Sequence, residues 1–326
     1  MQSYRNLLKQ AWNMTWKHKY LWFFGLFSTL LAAGGSIEYK VINQNINDGI
    51  INGTLMSASY FAQSITLLKN IGLGFIGLFS YDILTIINSF TIILICLTLI
   101  ATVIWLAVSS QAALVISVKK ILNKNKKKDN ILTIRSGLTA GHKKFWSVFG
   151  LNILIKIAVN AILFISSLPL LLLAIKDSGW FVLIYVILFV IFLPVAISLS
   201  LLLKYAIAYS VLENERFMQS IEKAYQLFIN NWLVSLEMAI IIFVINFLAS
   251  LGILIAMTIL FFPLFLVGLS FGFYWLMVLM VFLALIFLVL FGSALGTFQI
   301  STWTGLFLNL KEGMVLAKLE RLFVKK

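Results

Sequence analysis

The chain has 326 residues, 62% of them hydrophobic and 11% charged, with a mean hydropathy of +1.04. A soluble domain carries roughly 25% charged residues, so this composition excludes a fold that faces water on all sides and makes the bilayer part of the solvent. The net charge of +14 would suit nucleic acid were the charges spread over one surface; the single cysteine, Cys96, and two distant histidines, His18 and His142, rule out an internal disulfide and leave no cluster for zinc.

In chain order, Arg5, Lys9, Lys17 and Lys19 precede an apolar stretch over residues 20–33, a pattern shared with secretory leaders. The basic region is long and helically patterned, so a retained first helix is expected. Spanning hydrocarbon takes about 20 residues of helix. The first crossing is expected over 20–34, followed by a polar loop over 36–70 with turn residues at Asn47-Asp48-Gly49 and Asn52-Gly53. The second crossing lies within 83–118, with its core at 85–108 because Ser109-Ser110-Gln111 are polar. The third covers 148–175, Lys176-Asp177-Ser178-Gly179 form a turn, and the fourth covers 181–203. Residues 232–310 carry one charge, Glu237, and could hold two generous crossings or three tight ones.

Charge decides between them. With the N-terminus inside and six crossings, 21 of the 25 Lys and Arg fall in cytoplasmic segments, three (Lys40, Lys69, Lys176) fall outside, and Lys156 is intramembrane. That is a strong positive-inside bias. A further crossing would put Lys318, Arg321, Lys325 and Lys326 outside, so the fifth helix is expected over 236–262, a hairpin at 268–272 and the sixth helix over 275–298. Trp16, Trp22, Trp105, Trp146, Trp232 and Trp303 then lie near the inner boundary and Trp180 near the outer one, as an aromatic belt should. Pro169, Pro194 and Pro263 fall in or at the end of spans, where each removes a backbone donor.

Each helix that leaves the cytoplasm follows an amphipathic segment. Residues 4–16 set Tyr4, Leu7, Leu8, Ala11, Trp12 and Trp16 against Arg5, Lys9 and Asn13; residues 217–228 set Phe217, Ile221, Ala224, Tyr225 and Phe228 against Glu222, Lys223 and Gln226. The segment 134–144 is weaker because Gly137 and Gly141 interrupt it. All three end in polar residues and then aromatics: Lys17-His18-Lys19-Tyr20, His142-Lys143-Lys144-Phe145 and Asn230-Asn231-Trp232. Setting Gly25 against Gly150 also aligns Tyr20 with Phe145 and Phe24 with Phe149. This reads as three copies of one unit: interfacial helix, bend, helix out, helix back. The tail residues Val315, Leu316, Leu319, Leu322 and Phe323 repeat the amphipathic pattern.

The opening Ala11-Trp12-x-x-x-Trp16-Lys17-x-Lys19-x-Leu21-Trp22-x-x-Gly25 resembles the start of a family of prokaryotic six-helix membrane proteins. That family is similar to the membrane domain attached to some glycerophosphodiester phosphodiesterases. Ser220-Ile221-x-x-Ala224 and Ser301-x-Trp303-Thr304 resemble the same family, and the resemblance spans most of the chain. It implies a six-helix fold and a membrane role. It carries over no catalytic residue, because the phosphodiesterase chemistry belongs to a separate soluble domain whose sequence is not found in this chain.

Gly72-Leu73-Gly74-Phe75-Ile76-Gly77 is a literal G-x-G-x-x-G, but it follows no strand and lacks the later acid, so close helix or loop packing explains it better than a dinucleotide. Asn52-Gly53-Thr54 is a glycosylation sequon. Lys119, Lys120, Lys124, Lys126, Lys127 and Lys128 sit just inside the second helix. They read either as a topology determinant in a solvated loop or as a contact for anionic headgroups, worth roughly 1 kcal/mol per basic residue. No aromatic platform accompanies them, so nucleic acid is not an expected partner. Lys156 and Glu237 are the charges well inside spans; both lie near cytoplasmic helix starts, where a lysine snorkels, and they read as a structural pair or as a substrate or ion site.

The expectation is therefore an all-α polytopic membrane bundle with six transmembrane helices and three amphipathic interfacial helices in a threefold repeat. It forms a single membrane domain over 1–326, with repeat units at about 4–118, 132–205 and 216–305 and an amphipathic tail over 306–326. It is placed in a bacterial inner membrane with both termini cytoplasmic. The expected role is non-enzymatic, organising or assisting a process at the cytoplasmic leaflet. The alternative is a small-molecule or ion transporter, which the repeat, the prolines and the two buried charges suit. No cofactor is expected; the expected partners are the bilayer, anionic headgroups, and a protein partner or second copy. Reporter fusions after residues 60, 130, 178, 215, 268 and 326 should alternate out, in, out, in, out, in, and an external reporter at 326 would refute the six-helix arrangement.

Overall fold

The computed structural model describes residues 4–33, 69, 83–123, 133–175 and 179–313. They are helical throughout, with no strand among the described residues. In chain order the helices are α1 (Tyr4–Lys17), α2 (Leu21–Ala33), α3 (Ile83–Leu122), α4 (Ile134–His142), α5 (Phe145–Ile175), α6 (Gly179–Leu212), α7 (Phe217–Asn230), α8 (Trp232–Ser270) and α9 (Tyr274–Lys311). The polar loop 36–68, the Gly72–Gly77 run, the Asn52 sequon, Lys124 to Lys128, residues 176–178 and the tail from 314 onward lie outside the described residues.

Five helices are long and apolar enough to cross a membrane: α3, α5, α6, α8 and α9. In α2, where the first crossing was expected, the described helix has 13 residues, about 20 Å at 1.5 Å per residue, and it is not among the five. The long helices overrun their expected ends. The apolar pattern ended α9 at 298, α6 at 203 and the core of α3 at 108, yet these helices continue to Lys311, Leu212 and Leu122. The added turns carry Ser109, Ser110, Tyr205, Ser210, Ser301 and Thr302, all buried. Hydropathy marks where hydrocarbon ends; the helices go on because protein neighbours replace lipid there.

The chain forms two compact units. The first comprises the described residues within Met1–Ala33, Leu106–Leu151 and Leu201–Lys326. In it α9 packs against α1, α2 and α8. The approach of α2 is close: a methyl on Gly25 would overlap Thr297 Oγ1 and the Ser293 carbonyl, and one on Gly296 would overlap Thr29. Thr297 Oγ1 shares its proton between the carbonyls of Ser293 (2.8 Å) and Leu21 (3.2 Å), a cross-helix bond suited to a medium without water. Ala11, Met14, Leu21, Phe24, Ala113, Leu114, Val118 and Phe298 form one core.

The glycines expected to weaken α4 are its packing face. A side chain at Gly141 would strike the Ser109 carbonyl on α3, and the Phe24 ring lies 2.6 Å from where a Cβ on Gly137 would sit. Helix propensity, about 1 kcal/mol per glycine, is given up for backbone contact. At the other end Thr133 caps α4 in a capping box: its hydroxyl accepts from Ser136 N while Ser136 Oγ accepts from Thr133 N.

The three breaks fall on the polar residues that mark them in the sequence. His18–Tyr20 separate α1 from α2, Lys143–Lys144 separate α4 from α5, and Asn231 separates α7 from α8. Trp22 Nε1 donates to the Thr15 carbonyl across the first break (2.8 Å), satisfying one of the carbonyls a helix end leaves open. Asn231 Nδ2 donates to the Leu227 carbonyl at the third (3.1 Å). The hairpin between α8 and α9 turns at Gly272, whose φ of +70° suits a residue without Cβ.

The second unit comprises the described residues within Gly34–Trp105 and Asn152–Ser200. Its helical segments expose large apolar side chains such as Phe90, Leu97, Ile157 and Val190, a surface that only lipid or another apolar partner covers at low cost. Pro169 and Pro194 lie inside α5 and α6, as Pro263 lies inside α8 of the first unit.

Gly25→Leu should lower the thermal unfolding midpoint in detergent, at a cost of about 1–3 kcal/mol or more from overpacking. Gly252→Leu on α8, with nothing within 4 Å, should leave the midpoint unchanged or raised. Equal effects at the two sites would contradict the α2–α9 contact.

Candidate functional site

A strongly charged concavity lies in the first unit, between the end of α3, helix α4 and the end of α6, with a volume of about 740 Å³. Helix periodicity builds one wall. On α4, Arg135 and Thr139 are one turn apart and Lys143 follows at the same spacing, so all three share a stripe opposite the Gly137–Gly141 packing face. Lys144 joins them from the turn into α5, and α3 contributes Lys119 and Lys120. The third wall is Val211, Leu212 and Asn214; Asn214 ends the α6 segment with φ +58°, a left-handed conformation asparagine tolerates.

Five basic side chains thus line one cleft. Lys119 is accounted for: its Nζ donates to the Leu212 carbonyl (3.1 Å) and lies 3.6 Å from Glu213. Among the described residues, Lys120, Arg135, Lys143 and Lys144 have no carboxylate within salt-bridge distance. The hydroxyls in the cleft are already engaged, Thr139 Oγ1 donating to the Arg135 carbonyl (2.9 Å) and Ser136 Oγ to the Thr133 carbonyl (2.9 Å). The cleft offers outward positive charge beside the apolar side chains of Ile116, Ala140, Val211 and Leu212.

Beside it, Glu213 binds both Lys119 and Lys311, the latter at 2.8 Å. One carboxylate after α6 therefore ties down the ends of α3 and α9. The Lys311 hydrogen bond, with the charges of Lys311 and Lys119, holds the Glu213 carboxyl below the usual range against the opposing effect of burial. A second cavity of about 400 Å³ is lined by Glu213 and Lys311 and by Glu215 and Lys223. That pair is hydrogen-bonded, which raises the Lys223 ammonium above its ordinary value.

Of the basic run singled out in the sequence, Lys119 and Lys120 lie in the cleft, and Lys124, Lys126, Lys127 and Lys128 lie outside the described residues. Lys156 is half-buried on α5 in the second unit. Glu237 belongs to the first unit, on α8, where it accepts a hydrogen bond from the Tyr4 hydroxyl of α1 (2.6 Å). Arg135, Lys143, Lys144 and Glu213 were not picked out by sequence reasoning. The Arg135–Thr139–Lys143 spacing was legible as a helical stripe, but nothing in the sequence brings it to the same cleft as Lys120. Lys204, read as a cytoplasmic cation, packs its Nζ 4.3 Å over the Trp303 ring.

Because Glu213 has a depressed pKa in the folded protein, the unfolded chain takes up the proton first as pH falls. The stabilisation is complete above the ordinary carboxylate range and is lost as pH falls through the folded value. Thermal unfolding followed from about pH 7 to about pH 3 should show this loss, with a shallower slope for Glu213→Gln. Identical slopes would remove Glu213 from the account. No protein family, curated protein or solved structure matches this chain.

Proposed function

We propose that this is a non-enzymatic integral membrane protein of a bacterial plasma membrane that holds or assists an assembly at the inner leaflet. It crosses six times with both termini cytoplasmic, α2 belonging to the crossing beyond the five long helices. The basic bias of 21 against three supports that orientation. The threefold repeat is supported by three pairs, α1–α2, α4–α5 and α7–α8, each a short helix, a polar break and a helix that opens with aromatics. The resemblance of the opening motif to six-helix prokaryotic membrane proteins supports the same fold.

The observation that carries the functional reading is the charged end of the first unit. Lys119, Glu213 and Lys311 fasten helix ends together, and the neighbouring cleft presents cations outward. Fixed positive charge on short amphipathic helices is the chemistry of holding anionic groups at a membrane surface. The transport alternative draws support from buried hydroxyls, Ser109, Ser110, Ser210 and Ser301, that have no hydrogen-bond partner among the described residues.

Crosslinking and pull-down from native membranes should return a protein partner reproducibly together with anionic lipid. The purified protein in proteoliposomes should pass neither ions nor small solutes. A flux that depends on the protein and falls in Ser110→Val and Ser301→Val would overturn the scaffolding reading in favour of transport.

A further inference from the structure

We propose that the cleft between α3, α4 and α6 binds a phosphate ester, with Arg135, Lys143 and Lys144 as its charged ligands and Lys120 of α3 lining the same cleft. This deepens the reading above by naming a ligand class, and rests on it only for the expectation that the ester is a lipid headgroup.

Charge comes first. Four cations converge on one concavity, and among the described residues none of them has a carboxylate partner. These cations are largely exposed, and their summed charge makes a positive patch that attracts an anion. The neighbouring positions show what a self-neutralised arrangement looks like here: Lys119 and Lys311 meet Glu213, and Lys223 meets Glu215. The cleft cations are set apart from that pattern.

Geometry selects phosphate within the anions. A volume of about 740 Å³ lies within the roughly 300–1,000 Å³ of ordinary ligand sites and leaves room for a phosphate and the alcohol it esterifies. Arg135 supplies a planar fork for two oxygens, and the lysines supply point charges for the rest. The capped N-terminus of α4 opens on the same cleft through Thr133 and adds a favourable partial charge. With the hydroxyls of Ser136 and Thr139 bonded to backbone, the contact falls to the cations. Contacts of Gly137 and Gly141 fix the backbone of α4, so Arg135 and the following Lys143 and Lys144 all start from one rigid wall of the cleft.

Depth points to a headgroup. Trp146 follows Lys144 by two residues and is 79% exposed, and Ile134 at the other end of α4 is also exposed. An exposed indole beside lysines belongs at the membrane interface, the level at which lipid phosphates lie.

The test uses the full chain, delipidated in neutral detergent and offered phosphatidic acid, phosphatidylglycerol or phosphatidylcholine, with bound lipid counted by mass spectrometry. A second arm offers glycerol 3-phosphate and inorganic phosphate by equilibrium dialysis. The wild type should retain the anionic lipids over phosphatidylcholine. The triple variant Arg135→Gln, Lys143→Gln, Lys144→Gln should lose about a hundredfold in affinity, while Arg135→Lys with Lys143→Arg and Lys144→Arg keeps most of it. The variant Lys124→Gln, Lys126→Gln, Lys127→Gln, Lys128→Gln should lose less than the triple. Circular dichroism checks folding, and Arg135→Gln alone serves if the triple variant does not fold. Binding of glycerol 3-phosphate with no lipid preference would keep the phosphate site and assign it a soluble ligand. Unchanged binding in the folded cleft variants, or a larger loss in the loop variant, would overturn the site. Flux through proteoliposomes would overturn the scaffolding reading and leave this result standing.

Discussion

The first unit is organised by the approach of α2 to α9. Where Gly25 meets Ser293 and Thr297, and Gly296 meets Thr29, no side chain keeps the two backbones apart. In a bilayer, lipid tails are as apolar as leucine, so helices gain little from burying leucine against leucine. What distinguishes a neighbour from lipid is close backbone contact and a hydrogen bond between helices. Thr297 supplies the bond through its reach to the Leu21 carbonyl. With α9 fixed, α1 and α8 pack on its flanks, and Leu7 of α1 lies beside Gly305.

The same economy governs α4. A nine-residue helix is too short to hold itself together in water, and its glycines lower its propensity further. It persists because Gly141 lies against the α3 backbone, Gly137 receives Phe24, and Thr133 closes its first turn. That packing has an electrostatic consequence. By committing one face to α3 and Phe24, it leaves the Arg135–Thr139–Lys143 stripe free to line a cleft that Lys120 also lines.

Charge is partitioned within this unit. Carboxylates sit where helix ends need fastening: Glu213 between Lys119 and Lys311, Glu215 with Lys223, and Glu237 under the Tyr4 hydroxyl. The Glu213 and Glu237 bonds join segments far apart in sequence and act as fastenings, whereas Glu215 and Lys223 are eight residues apart and form a local pair. The Tyr4–Glu237 hydrogen bond is part-buried, where such a bond holds better than an exposed surface pair.

The sequence by itself determined the solvent, the helical class, the long apolar helices and the sites of the three breaks. These follow from local rules: charged residues are costly and rare in hydrocarbon, apolar runs of sufficient length are helical there, and polar residues followed by aromatics mark the interface. The tertiary structure alone decided where the long helices end, what the glycines of α4 are for, and which basic residues form one cleft. Helix ends beyond 108, 203 and 298 depend on protein replacing lipid around Ser109, Ser210 and Ser301, which no hydropathy window registers. Gly137 and Gly141 read as breakers because propensity describes an isolated helix, whereas here a neighbouring backbone fills the space a side chain would occupy. Arg135, Lys143 and Lys120 come together because two helices pack at Gly141, and a contact between distant segments leaves no local trace in either one.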